Sequence, residues 1–175
     1  MAKEDFNFFL HTKVRYSEVD HQGIVYNSHY LGYADEATVA YLNKINFNLL
    51  EHSKQHNRDF HAVKTTLEYF SALGPEDEMD VCVKVGKIGN SSLTFNIEIY
   101  SNTTNKLTTK CELIWVYTNQ ETHKSEKLPD ELINKIKEIV PWVSRNYILR
   151  MKDEKVTEIP VSRSQTKKLR EHLKL

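Results

Sequence analysis

The chain is short of most residues that mark specialised protein classes. Of its 175 residues only two are cysteine, Cys82 and Cys111, far apart and without CxxC spacing. That argues against a disulfide-framed scaffold or a zinc ribbon. Two buried free thiols in a reducing cytoplasm are the expected state, with one disulfide as the alternative. Glycine is equally sparse, at five residues. There is no Gly-rich loop to cradle phosphates and no GxSxG elbow, so nucleotide hydrolysis and serine-hydrolase chemistry have little support. No apolar run approaches the roughly 18 residues of a membrane span, so membrane insertion is not expected. The start, Met1-Ala2-Lys3-Glu4-Asp5, is acidic and then enters a strand pattern, without the marks of a signal peptide. A cytoplasmic location is expected. The eight histidines also lack metal-ligand spacing. His52 and His56 would share a helix face, but the run from Glu51 to His56 is not in zincin order. No metal and no cofactor are expected.

What is present suits an ordinary globular chain, 39% hydrophobic and 27% charged. Its length fits one domain with a proper core. The zero net charge hides an asymmetry. From Arg145 onward there are nine Lys/Arg against four Asp/Glu. A basic tail can meet phosphates, membranes or nucleic acid. The plainer expectation is a solvated helix, from about Val161, folded onto an acidic body, with Leu169 and Leu173 as anchors. Nucleic acid is not expected as a partner.

Periodicity supplies the elements. Phe8, Leu10, Thr12, Val14 and Tyr16 alternate as a strand. Tyr30, Ala34, Ala37, Tyr41 and Ile45 recur at helical spacing, predicting a helix from Asn27 to Ile45. Asn46 to Asp59 reads as a short helix or a covering loop. Strand patterns follow over 60–72, 79–85, 93–99 and 107–118, parted by turns at Gly74-Pro75, Gly89-Asn90 and 102–105. Short turns between consecutive strands imply an antiparallel sheet. Its apolar face needs a cover, and the helix from Asn27 is the strong candidate. The class is therefore α+β, an antiparallel β-sheet wrapped around a central α-helix. Pro129 opens a peripheral helix to about Val140, which Pro141 stops.

The most telling stretch is Arg15 to Tyr30. Asp20 lies in a tight turn with Gly23, just ahead of a helix that Asn27 or Ser28 can cap. The helix's first N–H groups lack intrahelical partners and would face the loop carrying Asp20. A carboxylate opposite free N–H donors has the parts for acyl hydrolysis: one activates water or attacks, the other stabilises an oxyanion. The plainer reading of Asp20 is a turn or capping residue. Gly23 suits either a positive φ or close approach of substrate. Tyr16 and Glu18 read as strand residues before Asp20. Tyr16 is expected to line an acyl pocket, and Glu18 to be too exposed for a second catalytic acid.

The run Arg-Tyr-x-Glu-Val-Asp-x-x-Gly-Ile-Val-Tyr-Asn-x-x-Tyr, from Arg15 to Tyr30, resembles the signature of the 4-hydroxybenzoyl-CoA thioesterase family, hotdog-fold acyl-CoA thioesterases. It fixes the Asp, the Gly three residues on, the Asn seven on and the Tyr ten on. A looser likeness extends to about Asn119. Val19 stands where Thr is commoner, and Asn27 where some relatives have His. The resemblance implies that Asp20 is the catalytic carboxylate, as nucleophile or general base. It implies that the Asn27 backbone N–H polarises the thioester carbonyl. Tyr16, Gly23 and Tyr30 would contact substrate, with Ser91 and Ser92 near the pantetheine arm, although turn serines are commonplace. It further implies a homodimer or homotetramer with the pocket between subunits.

The expected organisation is a hotdog thioesterase domain over 1–140 and a basic C-terminal extension over 141–175. The expected activity is hydrolysis of an acyl-CoA to free acid and CoA. Two rivals stand beside it: a thioesterase acting on acyl-carrier protein, and a non-catalytic acyl-CoA-binding protein of the same fold.

Overall fold

Period-two alternation in the sequence becomes a five-stranded antiparallel sheet. The computed structural model describes residues 3–139, 147–150 and 158–161. Its sheet contains β1 (Phe9–Lys13), β2 (Arg58–Tyr69), β3 (Glu78–Ile88), β4 (Ser92–Ser101) and β5 (Leu107–Asn119), in the spatial order β1-β3-β4-β5-β2. The register aligns the apolar positions across strands. Val85 lies opposite Phe95, which lies opposite Leu113, and Val83 aligns likewise with Ile97 and Cys111. Paired residues point to one face of a sheet, so these side chains form a continuous apolar layer. Phe95, Leu113 and Leu93 are fully buried in it. Each such side chain contributes roughly 1.5–3 kcal/mol by leaving water.

Helix α1 (His29–Lys44) covers that face. Tyr30, Ala34, Ala37, Tyr41 and Ile45, the stripe read from the sequence, are all buried. Tyr41 meets Phe8 and Phe95 edge-on, with ring centroids 5.7 and 6.5 Å away. Asn46 ends the helix in a left-handed conformation (φ 59°), and Phe47 N–H returns to Leu42 C=O at 2.9 Å. A sheet wrapped around one helix in this way is the hotdog fold.

The stretch after α1 forms helix α2 (Leu49–His56), where the sequence left helix or loop open. Asn48 caps it by accepting Glu51 N–H at 3.1 Å, and Asn57 ends it with φ 53°. His52 packs beside Tyr117 of β5, its Nε2 2.7 Å from the Tyr117 hydroxyl. Pro129 directly precedes α3 (Asp130–Ile139), its carbonyl accepting Ile133 N–H at 3.1 Å. Cys82 and Cys111 are both free and buried, and burial pushes each thiol up to about 12.

The chain divides into two compact units, residues 1–136 and 137–175. The second contains a strand pair that the sequence reading did not anticipate, β6 (Tyr147–Arg150) antiparallel to β7 (Glu158–Val161). The helix expected from about Val161 onward lies outside the described residues.

Candidate active site

The loop between β1 and α1 is built by backbone hydrogen bonds close in sequence. The chain leaves β1 after Lys13, earlier than the alternation through Tyr16 suggests, and makes a 3₁₀ turn over Tyr16–Glu18. Val19 and Val25 then pair as an antiparallel bridge. At the tip, Asp20 N–H donates to Ile24 C=O at 2.9 Å and Gly23 N–H donates to Asp20 C=O at 3.0 Å. Asp20 Oδ1 accepts Gln22 N–H at 2.7 Å, an Asx turn. Gly23 has φ 75° and open space where a β-carbon would stand, so left-handed backbone explains the glycine, and close packing does not. Val25 N–H ties the returning limb to Leu73 C=O at 2.9 Å.

Asp20 and Asn27 open into one cavity of about 400 Å³. Its other walls include Tyr26, Tyr30, Tyr69 and Phe70. Tyr30 is buried, accepts Leu73 N–H through its hydroxyl at 3.3 Å and meets the Tyr69 ring edge-on at 5.3 Å. Burial pushes the Tyr30 phenol up. Asn27 C=O accepts the Tyr69 hydroxyl at 3.2 Å. Among the described residues nothing accepts the Asn27 backbone N–H. Asp20, half-buried as a residue, and Asn27, whose backbone N–H has no acceptor among the described residues, thus border one aromatic-walled space.

The site reading needs several corrections. Neither Asn27 nor Ser28 caps α1 with its side chain. Ser28 is already helical (φ −68°, ψ −23°) and makes no capping bond, while Tyr26 C=O takes His29 N–H at 3.0 Å. Tyr16 does not line the cavity. It sits on the 3₁₀ turn, 90% exposed, because the strand ends before it. Gly23 is likewise outside the lining and acts through its backbone. Glu18 is the opposite case, buried where the sequence suggested exposure. Ser91 and Ser92, which the resemblance sets near a pantetheine arm, lie apart from this cavity's lining. Their backbones serve the β3–β4 turn and its neighbour: Ser92 C=O accepts Gly89 N–H and Ser91 C=O accepts Tyr117 N–H, both at 2.8 Å. Tyr69 and Phe70 are wall residues that sequence reasoning missed. An aromatic pair at a strand end gives no local sign of lying beside a helix start 40 residues earlier in the chain.

A family profile described as the Thioesterase-like superfamily matches residues 14–136, most of the first unit. The chain belongs to that superfamily. Solved structures agree on the fold. A 1,4-dihydroxy-2-naphthoyl-CoA thioesterase from Synechocystis, Slr0204, has TM-score 0.71 and 18% identity, over 75% of this chain and 96% of that one. The Staphylococcus aureus protein SAV2348, solved in complex with CoA, has TM-score 0.70 and 16% identity, over 75% and 82%. Among curated proteins, this superfamily member is 30% identical to YsmA of Bacillus subtilis over 94 residues, 54% of this chain and 61% of YsmA.

The C-terminal part is similar to something else. Residues 132–174 match the profile of the LytTr DNA-binding domain. A 43-residue stretch is 51% identical to the transcriptional regulatory protein YpdB of Escherichia coli, covering 25% of this chain and 17% of YpdB. The chain therefore spans about a sixth of that regulator's length. Among the described residues no helix is long and apolar enough to cross a membrane.

Proposed function

We propose that the chain hydrolyses acyl-CoA thioesters to free acid and CoA, within the 4-hydroxybenzoyl-CoA thioesterase family that the Arg15–Tyr30 run resembles. The observation that carries the reading is the one cavity that Asp20 and Asn27 both line, with the Asn27 N–H left without an acceptor among the described residues. Asp20 either attacks the thioester carbonyl, giving an acyl anhydride that water cleaves, or takes the proton from an attacking water. In both routes the carbonyl oxygen gains charge as the tetrahedral centre forms, and a fixed backbone N–H stabilises it. CoA leaves as the thiol. Tyr30 and Tyr69 wall the acyl side. The CoA named in the SAV2348 structure supports a CoA thioester over an acyl-carrier protein.

The test is release of CoA thiol from a panel of aryl and alkyl acyl-CoAs and an acyl-carrier thioester. Turnover of acyl-CoAs is expected, and binding without thiol release across the panel would leave the non-catalytic alternative. A single turnover in heavy-oxygen water that leaves label in the Asp20 carboxylate establishes the nucleophilic route, with water opening the anhydride at the Asp20 carbonyl.

A homodimer or homotetramer is part of the proposal. Strand β2 is an edge of the sheet, with Val63 exposed, and an edge of this length is readily closed by a second copy. A monomeric mass at micromolar concentration with full activity would contradict it.

The likeness to YpdB favours a second reading, confined to the C-terminal unit: contact with duplex DNA. The five-charge excess from Arg145 onward suits phosphate contacts. Binding of duplex DNA that weakens steeply with salt would support it. No binding at low salt would remove it.

A further inference from the structure

Glu18 stands two residues before Asp20, and the proposed chemistry gives it no task. Its carboxylate is nevertheless enclosed, 7% exposed, in a loop whose other side chains mostly face water. Enclosing a carboxylate is costly unless hydrogen bonds replace its water. Here they do. Glu18 Oε2 accepts the Tyr33 hydroxyl at 2.6 Å and the Arg15 backbone N–H at 2.7 Å. Arg15 Nε lies 3.8 Å from Oε1. The Glu18 backbone C=O accepts Tyr26 N–H at 2.9 Å. Tyr33 is itself buried on α1, and burial together with the Glu18 carboxylate raises its phenol far above the usual range. Its O–H is a permanent donor.

Three pieces of backbone therefore meet at one residue: the entry to the loop at Arg15, its return at Tyr26, and the first turns of α1 at Tyr33. Among the described residues, the ties made by Asp20 itself reach only Gln22, Gly23 and Ile24. None of them crosses to the helix. The buried crossing is made by Glu18, beside a more exposed ion pair from Arg15 to Glu36 of α1 at 3.8 Å.

We propose that Glu18, bonded to Tyr33, is a positioning residue that fixes the Asp20 turn against the start of α1 and so sets the aim of the Asp20 carboxylate across the cavity. This inference rests on the proposed role of Asp20. A charged acceptor gives short, directional bonds, and an apolar residue would fill the same space without directing the loop.

The experiment compares Glu18→Ala, Glu18→Gln, Tyr33→Phe, Asp20→Asn and the Glu18→Ala/Asp20→Asn pair, as full chains, by thiol release from benzoyl-CoA and hexanoyl-CoA. Rates are expressed per folded protein. Misplacing a reacting group by about 1 Å costs up to about 10²-fold, so Glu18→Ala should lose about 10–100-fold in kcat with KM shifting less than about threefold. Glu18→Gln should recover to within about threefold of wild type, because one amide oxygen can accept from both Tyr33 and Arg15. Tyr33→Phe should fall between the two. The double variant should be no slower than Asp20→Asn alone, since there is no carboxylate left to aim.

Wild-type kcat in both Glu18→Ala and Tyr33→Phe, with Asp20→Asn slow, overturns the inference and leaves the proposed function standing. So does a double variant whose losses multiply. Full turnover by Asp20→Asn overturns the role of Asp20 and this inference with it. If Glu18→Ala does not fold, Tyr33→Phe decides alone, and a wild-type kcat there is the overturning result.

Discussion

The inner face of the sheet and the loop from Arg15 to Tyr30 are held by different forces. On the sheet, Phe95, Leu113, Ile97 and Ile99 are excluded from water, and apolar area carries the stability. In the loop, most side chains face solvent, and order comes from individual bonds such as Asp20 N–H to Ile24 C=O and Tyr33 O–H to Glu18. Apolar burial is non-directional and large, whereas each net hydrogen bond is worth only about 0.5–1.5 kcal/mol but fixes an angle. Changes to the sheet should therefore cost stability and spare the rate. Changes to the loop should do the reverse.

The sharpest test is Asp20→Asn. Loss of a general acid/base or attacking group lowers kcat by about 10²–10⁴. The substitution keeps the side chain's size and can still accept Gln22 N–H, so the unfolding midpoint should stay near wild type. Thiol release and urea denaturation on the same preparation measure both halves. A folded Asp20→Asn protein with near-wild-type turnover would break the contrast at its strongest point.

Phe95→Ala is the mirror image. Phe95 is fully buried and packs edge-on against Trp115 and Tyr41, with centroids 5.4 and 6.5 Å away. Removing such a ring costs about 3–5 kcal/mol, through lost transfer energy and the cavity left behind. The folded fraction should keep most of its kcat. A kcat loss matching that of Asp20→Asn would show that the sheet face and the loop are not separable.

The same division explains what could be read from the sequence. Leu93, Phe95, Ile97 and Ile99 alternate, and Tyr30, Ala34, Ala37, Tyr41 and Ile45 repeat at helical spacing, because burial imposes the period of the backbone on the choice of residue. Sheet, helix and their contact were legible for that reason. The Asp20 turn was legible as a motif, but its neighbours were not. Alternation through Tyr16 placed Tyr16 and Glu18 on a strand, one lining a pocket and one exposed. The 3₁₀ turn reverses both, and no period announces a three-residue turn. Tyr69 and Phe70 reach the cavity only because β2 ends beside the start of α1, which is a fact of topology.

A smaller effect is expected at Gly23, where loop geometry and stability meet. Its φ of 75° is unfavourable for any residue with a β-carbon, though no atom lies within 4 Å of where that carbon would be. Gly23→Ala should cost about 1–2 kcal/mol from backbone strain alone. Two routes are open to the protein. If the turn keeps its shape, stability falls and kcat holds; if the turn relaxes, kcat falls instead. Measuring both quantities shows which is stiffer, the local backbone or the bracing through Glu18.

The smallest change should come from Asn27→Ala, although Asn27 sits in the cavity wall. The sequence suggested a helix cap whose loss costs about 1 kcal/mol. The structure removes that expectation, because Ser28 is already helical and Tyr26 C=O satisfies His29 N–H without the Asn27 side chain. An exposed side chain outside any such bond contributes within about 0.5 kcal/mol, so the denaturation midpoint should barely move. Activity should also survive better than in Asp20→Asn, with less than about a tenfold loss, because alanine keeps the backbone N–H that would meet the carbonyl. The Tyr69 hydroxyl also keeps its acceptor, the Asn27 carbonyl. Abolished turnover in a stable Asn27→Ala protein would mean that the side-chain amide itself contacts the reacting group. The site would then be a pair of side chains, and the division between a carboxylate that reacts and a backbone that polarises would fall.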